Sequence, residues 1–203
     1  MNPIISLANL IDLALEVYLY IIFIAVILSW IRLTPSDPTT ASVLRFFDRA
    51  TEPVFSFFRR AFRLERYTSP IDLTPLFVIV AIYFFRLFVV QTMRNMNLIG
   101  NLLQAIFYTA YFLLNIYFWI VVVAAFLSVM ACFWPYHPMS QMRVPLIDRL
   151  TEPVCAFFKR LFKSPLEMQF QNAVAPLDAS PFVLLLAVYL AKRLLIVLAM
   201  LSV

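Results

Sequence analysis

Of 203 residues, only one is glycine, two are cysteine and one is histidine. Charged side chains are also scarce, at 13%, about half the usual share for a soluble domain. Each scarcity excludes something. Cys132 and Cys155 have no CxxC spacing and only His137 nearby, so neither a zinc site nor a disulfide framework is expected. His137 sits in Trp-Pro-Tyr-His-Pro without a base, nucleophile or metal partner, so the sequence suggests no catalytic centre, no metal and no cofactor. No Lys or Arg precedes Arg32, so a cleavable signal is not expected and the first apolar run should stay attached. The apolar content of 64% excludes a disordered chain and an ordinary water-soluble enzyme.

Four apolar runs are long enough to cross a bilayer core of about 30 Å, which takes about 20 helical residues. They cover about Leu13–Ile31, Pro75–Met93, Leu103–Trp134 and Pro181–Val203. They are apolar on all sides, unlike helices of a soluble bundle, which keep a polar outer face. The net charge of +5 collects between these runs. An anionic lipid surface, rather than nucleic acid, is therefore the expected partner. The long loops hold Arg45, Arg49, Arg59, Arg60, Arg63 and Arg66 in one case and Arg143, Arg149, Lys159, Arg160 and Lys163 in the other. By the positive-inside rule both loops should face the cytoplasm and both termini the outside.

The two halves repeat. Asp48-Arg49-Ala50-Thr51-Glu52-Pro53-Val54 returns as Asp148-Arg149-Leu150-Thr151-Glu152-Pro153-Val154. Phe57-Phe58-Arg59-Arg60 returns as Phe157-Phe158-Lys159-Arg160, and Asp72-Leu73-Thr74-Pro75 as Asp178-Ala179-Ser180-Pro181. The expected fold is an all-α integral membrane protein with four transmembrane helices. They form two tandem helical hairpins, residues 1–97 and 98–203, each with a bent amphipathic interfacial loop. In each loop Pro53 or Pro153 should start a helix, capped by Thr51 or Thr151. Its basic residues, Arg59, Arg60 and Arg63 or Lys159, Arg160 and Lys163, alternate with phenylalanines, as expected of a lipid- or partner-binding surface helix. Thr74 and Ser180 are expected N-caps, with Pro75 and Pro181 at the first helical position. Asp72 and Asp178 lie just outside, able to meet the helix dipole or a cation from the preceding helix.

Charge inside the spans is the strongest hint of function. Arg86 lies about 16 Å into the second span, and Lys192, followed by Arg193, lies equally deep in the fourth. Such charges need partners or water, and serve either as structural glue between helices or as an ion or lipid-headgroup pathway. Glu16 matches Arg86 in depth and Asp12 matches Arg94, so contacts Glu16–Arg86 and Asp12–Arg94 are predicted. Asn115 stands where a second Glu16 would be. Lys192 and Arg193 then lack acids of their own, and are expected at an interface between the repeats or, for Arg193, reaching outward.

Ser29-Trp30, Pro35-x-x-Pro38, Thr-Glu-Pro, Phe-Phe-Arg-Arg and Ile-Asp-Leu-Thr-Pro together resemble the YggT family, and here the domain occurs twice. The second copy departs at Val129, which replaces Trp30, and at an insertion over residues 164–175. The resemblance implies a multi-pass protein of the bacterial inner membrane, linked to tolerance of osmotic or ionic stress and to neighbourhoods of cell-division genes. Plastid relatives are linked to assembly of a cytochrome complex and to nucleoid organisation. It implies no catalytic mechanism and no cofactor. The expected function is envelope homeostasis through ion handling. The alternative is a scaffold that binds anionic lipid, a partner membrane complex or further copies of the chain.

Overall fold

The computed structural model describes residues 3–31, 38–62, 74–134, 136, 145–162, 167–168 and 176–201. Arg63, Asp72, His137 and Lys163 lie outside them. Six helices are present among the described residues: α1 (Pro3–Ile31), α2 (Pro38–Phe62), α3 (Thr74–Asn95), α4 (Leu98–Phe133), α5 (Pro145–Phe162) and α6 (Ser180–Leu201). Four of them, α1, α3, α4 and α6, are long and apolar enough to span a membrane. Their outward side chains are large and apolar, among them Leu13, Phe23, Phe85, Trp119, Leu186 and Leu194. This suits a surface solvated by acyl chains. The first helix begins ten residues before the expected Leu13, because Asn9 and Asp12 lower hydropathy without breaking the helical backbone.

The chain divides into two compact units, residues 1–109 with 202–203, and residues 110–201. In unit 1, α1 packs on α2 and α3 around buried Ile22, Phe55 and Val78, flanked by Tyr18, Val54, Phe58 and Ile82. In unit 2, the corresponding centre is Val121, Cys155, Leu184 and Val188, flanked by Tyr117, Val154, Phe158 and Leu185. The repeat thus extends to positions where residue identity has drifted but apolar volume at the crossing persists.

The loops between spans hold helices, but Pro53 and Pro153 do not open them. The helices α2 and α5 start at Pro38 and Pro145, where a missing N–H costs no helical bond, and run through Pro53 and Pro153. Proline inside a helix removes one i→i−4 bond. Two features hold the chain helical there. Val54, Phe55 and Phe58 pack against the spans. The Tyr18 hydroxyl donates to Ala50 O at 3.0 Å, and Tyr117 does the same to Leu150 O at 3.2 Å. Thr51 and Thr151 are buried mid-helix, and their hydroxyls donate one turn back, to Phe47 O and Ile147 O. They therefore do not cap.

Two connections are distinctive. Between α3 and α4, Asn95 and Asn101 exchange amide hydrogen bonds at 2.6 and 3.2 Å, and Asn97 Oδ1 accepts the Gly100 N–H. Met96 takes the left-handed conformation (φ 55°) that closes this turn. Within the second loop, Glu167–Met168 (β1) pairs antiparallel with Leu177–Asp178 (β2), a short ladder that the apolar patterning did not announce.

Candidate functional site

Unit 1 gathers four charges on the facing sides of α1 and α3. Arg86 Nε donates to Asp12, and Arg86 Nη2 donates to Glu16 Oε2 at 3.0 Å. Arg94 lies 3.6 Å from the other Asp12 oxygen and donates to Asn9 Oδ1 at 2.9 Å. The two expected contacts, Glu16–Arg86 and Asp12–Arg94, are both present. The Asp12–Arg86 bond was not expected. Asp12 lies between both arginines, one turn from Glu16, so a guanidinium can engage both acids with different nitrogens. Asn9, one turn above Asp12, was missed, although three-residue spacing on one helix face could have found it.

In a hydrocarbon medium an unpaired Arg or Asp at mid-span costs roughly 2.5–3.5 kcal/mol on insertion scales. Here two acids meet two arginines, so the network is neutral. Its members remain partly open, however: side-chain exposure is 25% for Arg86 and 40% for Glu16. Beside them lies a cavity of about 270 Å³, lined by Asp12, Tyr83, Arg86, Leu87, Gln91 and Arg94.

Unit 2 solves the same problem without an acid. Lys192 Nζ donates to Asn115 Oδ1 at 2.6 Å and lies 5.1 and 4.7 Å from the ring centroids of Tyr111 and Phe118. It finds these partners inside its own unit: an amide oxygen and two π faces replace the carboxylate. Arg193 is exposed and stays on its own helix, its guanidinium over Tyr189 and its Nε bonded to that hydroxyl at 3.0 Å.

A second constellation ties α5 to the start of α6. Lys159 Nζ donates to Asp178 Oδ2 at 2.7 Å. Asp178 Oδ1 accepts both the Ser180 N–H and the Ser180 hydroxyl, and Asp178 O accepts from Ser128. Ser180 therefore donates, and the capping acceptor at α6 is Asp178, because its carboxylate reaches the first free N–H with full charge. Pro181 follows at the second helical position, and Thr74 and Pro75 open α3 in the same order. A cleft of about 490 Å³ adjoins the tether, with Asp148, Thr151, Glu152, Cys155 and Lys159 on its walls. Burial and the nearby Asp178 push the Cys155 thiol up, which disfavours the thiolate. In unit 1, Arg59 pairs with Glu52 at 3.4 Å. Arg60 and Arg160 are exposed.

Burial raises the Asp178 carboxyl, but the bonds from Lys159 and Ser180 outweigh it and hold the group below its ordinary value. A carboxylate lowered in this way stabilises the fold above its unfolded pKa, near about 3.9, and loses that contribution as pH falls through the folded value. The stability advantage of the wild type over Asp178→Asn should therefore be constant above about pH 5 and shrink below about pH 4. Thermal unfolding in detergent across that range checks it, and an advantage that grew on acidification would refute the tether.

A family model described as CCB3/YggT matches residues 4–93 and again residues 103–199. No curated protein and no solved structure matches the chain.

Proposed function

This chain belongs to the CCB3/YggT family, and from that premise we propose that it is a non-enzymatic inner-membrane protein that supports envelope homeostasis under osmotic or ionic stress by handling ions. One observation carries this reading: the neutral network of Asp12, Glu16, Arg86 and Arg94 inside the spans, three members of which line a cavity. Ionisable groups at membrane depth usually mark an ion or proton path. In this reading both basic loops lie at the cytoplasmic face and both termini are periplasmic. A fluorescent reporter after Val203 should stay dark as a cytoplasmic label. No nucleic acid and no cofactor enter the reading.

The purified chain in liposomes should pass ions down a gradient. The variant Asp12→Asn/Glu16→Gln/Arg86→Met/Arg94→Gln, which removes all four charges of the network together, should not. Equal flux from both would refute ion handling.

A second reading rests on α2 and α5. Their cations, with Arg60 and Arg160 exposed, support binding to anionic headgroups, at about 1 kcal/mol per residue near a charged leaflet. The chain would then be a scaffold or assembly factor for a partner membrane complex or for its own copies. Silent liposomes together with a stoichiometric complex on purification would favour it.

A further inference from the structure

We infer that unit 1 holds a water-filled vestibule, which opens at the end of α1 and α3 bearing Asn9 and Arg94 and stays wet as deep as Arg86. Three observations converge on it. First, the polar groups are stacked rather than scattered. Asn9, Asp12, Glu16 and Tyr20 recur at three- and four-residue steps along α1. Of these Asp12 lines the cavity, and Tyr83, Arg86, Gln91 and Arg94 line it from α3. From Arg94 to Arg86 the axial distance is about 12 Å.

Second, ion pairing leaves these groups incompletely enclosed. Asp12 and Arg94 keep 26% and 37% of their side-chain surface open. Acyl chains cannot solvate that remainder, whereas water can. The cavity of about 270 Å³ has room for about nine waters at their liquid volume, and Asp12, Tyr83, Arg86, Gln91 and Arg94 on its walls offer polar partners.

Third, the charges stop at a defined level, and in the next turn of each helix the polar side chains are tyrosines. One turn below Arg86 on α3 is Ile82, and below Glu16 on α1 come Tyr18 and Ile22. These pack with Val78 and Phe55 into the apolar centre of the unit. The other side of α3 at the same level is aromatic: Phe84 stacks on Phe88, and Phe85 is exposed. A wet pocket against one face of α3 and lipid against the other accounts for both compositions. Because its two acids and two arginines cancel, the vestibule admits water and small hydrated ions without trapping either sign.

This inference requires only the membrane spans and not ion conduction. A wet vestibule in a chain that passes no ions leaves it standing.

Thiol chemistry tests it, since a thiolate forms and reacts only where water reaches. The full chain is prepared in lipid vesicles as Leu87→Cys, Gln91→Cys and Phe85→Cys, with the unsubstituted chain as the blank for Cys132 and Cys155. A charged, membrane-impermeant thiol reagent should label Leu87→Cys and Gln91→Cys at least about tenfold faster than the lipid-facing Phe85→Cys at similar depth. If Leu87→Cys folds poorly, Gln91→Cys carries the comparison. Labelling of the cavity positions no faster than Phe85→Cys overturns the vestibule. So does fast labelling in detergent that vanishes in vesicles, for then lipid or another chain covers the site.

Discussion

Replacing Arg86 by methionine lowers stability in detergent by about 3 kcal/mol, near the lower end of the range for orphaning one side of a buried ion pair. The loss comes mainly from what is left behind. Asp12 and Glu16 both bond to this guanidinium, and Arg94 reaches only Asp12, at 3.6 Å. Glu16 then faces hydrocarbon or a thin column of water without a counter-charge. Converting both acids to amides and Arg94 to glutamine alongside Arg86→Met should recover most of the loss, because a neutral set has no charge to desolvate. The equivalent change in unit 2 provides the control. Lys192→Met orphans only an amide, Asn115, and should cost about 1 kcal/mol or less. Denaturation of purified variants under identical detergent conditions measures all three. A fourfold variant as unstable as Arg86→Met alone, or a Lys192→Met loss as large, would contradict the account.

Ile22→Ala has the next largest effect, about 2 kcal/mol, the low end of the range for truncating a fully buried aliphatic side chain. The reason differs from that in a soluble core. Acyl chains are as apolar as isoleucine, so helices in a bilayer gain little from hiding such a side chain from lipid. What they gain is close packing, and Ile22 is fully enclosed where α1, α2 and α3 meet. Its neighbour Phe23 is larger but 55% exposed. Phe23→Ala should change stability by less than about 0.5 kcal/mol, as outward positions generally do. Equal losses at both positions would mean that α1 presents a different face to its neighbours. The same contrast is expected in unit 2 between Val121 and the exposed Phe126.

How far the sequence could be read differs from residue to residue. The spans were legible because hydrocarbon imposes a length and a composition that no soluble helix shares. The repeat was legible because motif order survived duplication. The Glu16–Arg86 pair was legible because helical rise converts sequence separation into depth, and charges at one depth in lipid must meet. The third bond of the network was not, because depth says nothing of rotation about the helix axis, and only rotation aims Asp12 between two arginines. The interior prolines misled for a similar reason. Proline reads as a helix start when only local bonding is weighed, and the packing of Val54, Phe55 and Phe58 that carries α2 through Pro53 is not local.

The tyrosine bonds to Ala50 O and Leu150 O were equally out of reach, since they join residues more than thirty positions apart. Sequence alone therefore determined the medium this chain lives in, its four crossings, its duplication and the depth of each charge, all of which depend on distance along one helix. Tertiary structure decided which groups meet at a given depth. It gave Asp178, and not Ser180, the cap of α6, and let Asn115 with two aromatic rings hold Lys192 where an acid holds Arg86. Those outcomes depend on helix rotation and side-chain packing between distant segments, and no periodicity encodes them.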